Sequence, residues 1–181
     1  MKTLITFGLL LLTALFPKKA TAQSDGAAVL NIVLHPVQTL MINAADQTVN
    51  LEYRTREDYS NGVSLNKENH LQIYSTGGYV IRVKTADPRL QSTANSAAGI
   101  DAGDITVTAS KGTTIGYESF ISAPVLLSAS YVELISSAVG ASKAFNINYT
   151  AKGDNKYLNL FTKNKNPTVY TTQVVYSIEP Q

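Results

Sequence analysis

Apolar side chains return at every second position in a series of short stretches. Val49, Leu51 and Tyr53 alternate with Asn50, Glu52 and Arg54, and Phe145, Ile147 and Tyr149 with Asn146, Asn148 and Thr150. Tyr79, Ile81 and Val83 share a face opposed by Arg82 and Lys84, and Ile105 and Val107 are separated by Thr106. Near the end, Tyr170, Val174, Tyr176 and Ile178 share a face with Thr172. This two-residue period predicts half-buried strands rather than helices. Further strands are expected at residues 29–34, 38–42 and 125–129. Gly77-Gly78 is a turn signal, expected to join 70–75 and 79–84 as a hairpin. The competing helical pattern falls at 131–139 and is weakened by Ser136, Ser137 and Gly140. Residues 92–103 are small and polar and read as a surface loop. Residues 151–166 read as a long exposed loop around a short strand at 157–161. Short strands punctuated by Gly, Asn, Asp and Pro predict an all-β fold: one immunoglobulin-like sandwich of about eight or nine mostly antiparallel strands.

The first residues break the alternation. Met1-Lys2 is followed by an apolar run to Phe16, then by Ala20-Thr21-Ala22. That order predicts a secretory signal peptide over 1–22 and an exported domain over 23–181, destined for the periplasm, cell surface or exterior. The formal charge of +2 changes meaning as a result. Losing Lys2, Lys18 and Lys19 leaves twelve basic residues against thirteen acidic ones, so no basic stripe for nucleic acid is expected. The chain has no cysteine, so its stability is expected from packing and not from disulfides. No second apolar run is long enough to span a membrane.

Candidate chemistry is sparse. The two histidines, His35 and His70, read as a residue before a proline kink and a strand-edge residue. Glu68 and His70 supply at most part of a metal site, since zinc needs three or four ligands. Asp101-Ala102-Gly103-Asp104 offers oxygen ligands for calcium or, more simply, a turn entering a strand. Glu57-Asp58 with Arg54 and Arg56 reads as a solvated turn. A Gly-x-Ser-x-Gly nucleophile elbow is not found. No catalytic residue, metal ligand or cofactor is assigned. Ten tyrosines and no tryptophan suit strands. Tyr53, Tyr79, Tyr149 and Tyr176 are expected in the core, whereas Tyr59, Tyr74, Tyr117 and Tyr157 are candidates for surface contacts.

The Gly77-Gly78-Tyr79-Val80-Ile81-Arg82-Val83-Lys84 stretch and the closing Tyr170–Ile178 stretch resemble secreted bacterial β-sandwich surface proteins. These include pilin-like subunits and WxL-type wall proteins. Gly78-Tyr79 stands where the WxL type has Gly-Trp, and both the Trp-x-Leu signature and pilin cysteines are missing. The resemblance implies a non-enzymatic structural or adhesive role, with the chain itself or related surface subunits as partners. It also implies that Val29, Leu30, Ile32 and Leu34 form a strand available for exchange or edge pairing. The plainer alternative is that they are the first strand of their own sandwich. Two other functions stay open: a carbohydrate- or cell-wall-binding module, and a secreted hydrolase with a scattered site.

Overall fold

A computed structural model describes residues 25–113, 119–163 and 167–181. The expected signal peptide lies outside the described residues. The chain divides into two units, Met1–Leu34 and His35–Gln181. In the first, described from Asp25, the backbone has no regular secondary structure.

The second unit is all-β, built from antiparallel sheets packed on each other. Its strands are β1 (Gln38–Ile42), β2 (Val63–Ser75), β3 (Tyr79–Thr85), β4 (Arg89–Ser92), β5 (Asn95–Asp101), β6 (Ile105–Lys111), β7 (Ile121–Ser122), β8 (Val125–Leu126), β9 (Val132–Ser137), β10 (Ala141–Ala151) and β11 (Val174–Pro180). One sheet runs β1-β2-β10-β6-β8 and the other β11-β3-β9-β7, while β4 and β5 pair by themselves. Alternation puts Leu71 and Ile73 of β2, Ile81 and Val83 of β3, Val107 of β6 and Phe145 and Ile147 of β10 into the core. Most of their neighbours on the other face are polar, as a sheet with one wet face requires, Val80 of β3 being a buried apolar exception.

Several local expectations change. β2 and β3 do not form a hairpin; Gly77-Gly78 carries the chain from one sheet to the other. A Cβ on Gly78 would stand 3.1 Å from the Ala138 carbonyl oxygen, so a larger residue would require the Ala138 backbone to give by a few tenths of an ångström. Residues 132–137 form strand β9, because pairing to β3 and β7 overrides the weak helical pattern. The polar stretch 92–103 is largely β5, held by β4. Residues 157–161 form no strand; 154–159 is a series of turns. Glu57-Asp58 belongs to a helix, α1 (Arg56–Asn61), opened by a capping box between Thr55 and Asp58.

A bulge divides β2 in two. Leu71 pairs with Phe145 and Lys67 with Ile147, so Glu68, Asn69 and His70 together oppose Asn146. Asn69 takes a positive φ of 50° there, its N–H donating to Asn146 Oδ1 at 2.8 Å. Above the bulge, Leu71–Ser75 pairs with β10 on one side and β1 on the other. Below it, Val63–Lys67 pairs with β10 alone.

Candidate functional site

Two features of the described residues stand out as unfinished. The first is the stretch before His35. Val29, Leu30, Ile32, Val33 and Leu34 are 72–88% exposed and belong to no strand. The expectation that 29–34 is the first strand of its own sandwich therefore fails; the sandwich begins at β1. A residue pattern suited to burial is here left in water.

The second feature is the lower edge of β2. After β1, the chain crosses a 3-10 turn at Ala44–Asp46. Asp46 Oδ1 receives Lys67 Nζ at 3.0 Å, which holds this turn beside the bulge. Residues 49–53 then run past Val63–Lys67. Val49, Leu51 and Tyr53 pack against the core, as their alternation predicts. The expected strand does not form, because the backbone of 48–53 makes no hydrogen bond with another backbone among the described residues. Asn50, Leu51 and Glu52 instead line one wall of a cleft of about 360 Å³ whose other wall is Gly62–Leu65. Backbone donors and acceptors on this side of Val63–Lys67 have no ladder partner among the described residues, which is the condition for strand addition.

An ion cluster anchors the lower end of this segment. The Tyr53 hydroxyl donates to the Lys152 carbonyl at 2.6 Å. Lys152 and Lys156 both donate to Asp104 Oδ1, at 3.2 and 2.6 Å. Burial alone would raise the Asp104 carboxyl, but these lysine hydrogen bonds and charges outweigh it and hold it below the usual range. Burial pushes Tyr53 up to about 12 and Tyr157 higher still. Residues 101–104 thus form a turn into β6 whose buried carboxylate already has two ammonium partners. Among the described residues, no group of three or more His, Cys, Asp and Glu could hold a metal ion.

His70 is buried within the bulge, not at a strand edge. Its Nε2 lies 3.0 Å from the Tyr149 hydroxyl, itself 2.5 Å from that of Tyr176. The chain of contacts joins β2 and β10 of one sheet to β11 of the other. Nδ1 finds no hydrogen-bond partner among the described residues. Burial lowers the His70 pKa and pushes Tyr149 up to about 12.

Of the four tyrosines expected at the surface, Tyr59 and Tyr157 both pack against Tyr53. Tyr74 is half exposed on the outer face of β2. The Tyr59 ring lies tilted against that of Tyr53, with 5.3 Å between centroids. Tyr157 is buried, its ring edge-on to Tyr53 at 5.2 Å, so it is not a surface contact. Tyr117 lies outside the described residues. His35 is exposed. The free edge of β2 was missed by sequence reasoning, although Val63, Leu65 and Lys67 alternate with Ser64 and Asn66. Alternation marks a strand and says nothing of which neighbours it lacks. No helix among the described residues is long and apolar enough to cross a membrane. No protein-family model matches the chain, and neither does any curated protein.

Proposed function

We propose that this chain is an exported, non-enzymatic surface or fimbria-like subunit that works by pairing sheet edges with other copies or related subunits. One observation carries the reading: five large apolar side chains within Val29–Leu34 stand exposed outside any sheet. Such a row is costly in water and gains from cover. An extended apolar segment adds readily to an open sheet edge, where backbone hydrogen bonds supply affinity and alternate side chains supply fit.

The test is the solution mass of the exported chain by size exclusion with light scattering, beside a variant lacking residues 25–34. The expected result is a concentration-dependent ladder for the full chain and a monomer for the deletion. The deletion leaves the second unit and its core whole, so its circular dichroism should keep the strand signature. A full chain that stays monomeric at every concentration would overturn the proposal.

A further inference from the structure

The exposed segment and the open edge of β2 have matching requirements. The segment carries Leu30, Ile32 and Leu34 at two-residue spacing, with Val29, Asn31 and Val33 on its opposite face. The stretch beside the open edge carries Val49, Leu51 and Tyr53 at the same spacing. Those side chains fill the flank of the core, yet their backbone makes no ladder with the side of Val63–Lys67 that faces away from β10, and a cleft opens between the two. An incoming strand with the same apolar period could fill the flank and also make the missing hydrogen bonds.

We infer that residues 29–34 of one molecule pair with Val63–Lys67 of a second copy, displacing Val49–Tyr53, which acts as a placeholder. This rests on the edge-pairing reading above and names its acceptor. The occupant is a second copy because covalent reach forbids the same chain. Gln38 opens β1 opposite Ser75, at the far end of β2. From Leu34 to Gln38 the chain spans at most ~14 Å. From Ser75 down to Lys67 is roughly 20–27 Å at strand rise, with β1 already occupying the upper part. Three other edges suit the segment less. β7 and β8 offer two residues each, and β11 ends in Glu179-Pro180, a charge and a residue without an N–H.

Paired strands put like faces together, so Leu30, Ile32 and Leu34 would join Val63 and Leu65 on the inner face. Asn31 would then lie outward, beside Ser64 or Asn66. The native chain has no thiol to interfere with a cross-linking test. Exported Asn31→Cys chain is mixed with Ser64→Cys or Asn66→Cys chain under mild oxidation, with Met41→Cys on β1 as the control acceptor. Circular dichroism confirms that each variant is folded. The expected result is at least tenfold more mixed dimer with one of the β2 variants than with the control. Adding Ile32→Asp to the donor should abolish it. Equal cross-linking to the control, or none to either β2 variant while oligomers persist, would overturn this acceptor and leave edge pairing standing. Monomers with no cross-link in any pairing would overturn both.

Discussion

β1 and residues 49–53 are two five-residue stretches that follow one another along the same flank of the sandwich, and they solve one problem differently. Both alternate, and both turn apolar side chains (Leu40 and Ile42; Val49, Leu51 and Tyr53) toward the core. β1 is laddered to β2 along its whole length, whereas 49–53 has no ladder. Between them lie the Glu68–His70 bulge and the Asp46–Lys67 ion pair, which move the chain off the edge of β2. Side-chain burial and backbone pairing are thus separable: one follows from the period of the residues, the other from where the neighbouring strand happens to lie.

Proline substitution tests this contrast most sharply. The bonds Thr76 N to Val37 O and Asn43 N to His70 O bracket the β1 ladder. Their even spacing makes the Met41 N–H a donor to β2. Met41→Pro should cost about 3 kcal/mol or more. Glu52→Pro, at an exposed position with no ladder bond to lose, should cost less than about 1 kcal/mol. Chemical denaturation measures both. Equal losses would mean that 49–53 is held by its backbone after all.

Shared burial predicts the next effect. Leu40→Ala and Leu51→Ala should each destabilise the fold by about 2 kcal/mol, since each removes partly buried apolar volume. A neutral Leu51→Ala would mean that the segment does not fill the flank. Hydrogen exchange adds the complementary reading: amides of 39–42 that face β2 should be protected, and those of 50–52 should exchange fast.

The anchor of the open segment comes third. Asp104→Asn removes the charge that holds the Lys152 and Lys156 ammonium groups beside the backbone carbonyl that accepts from the Tyr53 hydroxyl. A loss of about 1–2 kcal/mol is expected at neutral pH. The carboxyl is held below its usual value in the folded state, so its contribution is present above the unfolded value of 3.8 and lost as pH falls through the lowered one. A thermal melt series from pH 5 to pH 2 should therefore be flatter for Asp104→Asn than for the native chain.

The smallest effect belongs to the bulge that separates the two stretches. His70 is buried with its pKa lowered, so as pH falls below 6.5 the unfolded chain takes up the proton first. Stability should be level above pH 7 and decline as pH falls below 6.5. His70→Phe should flatten that decline. An unchanged slope would place the sensitivity elsewhere.

Much of this was legible in the residues alone. Alternation identified the core faces of β3, β6 and β10, and it placed Tyr79 and Tyr149 inside, because period two is a local consequence of strand geometry. It also marked Val49, Leu51 and Tyr53 as inward. It could not tell that 77–78 links two sheets, that 49–53 lacks a ladder, or that 29–34 lies outside every strand. Nor could it see that Tyr157 is buried, since a turn-rich, charged stretch gives no sign of packing against Tyr53. The acceptor edge was hidden for the same reason. Which residues of a strand share a face follows from the two-residue period of strand geometry, and the amino-acid order determines that by itself. Which backbone groups find partners depends on residues far apart in sequence, brought together or kept apart by a bulge, an ion pair and a crossover, and only the tertiary structure decides it.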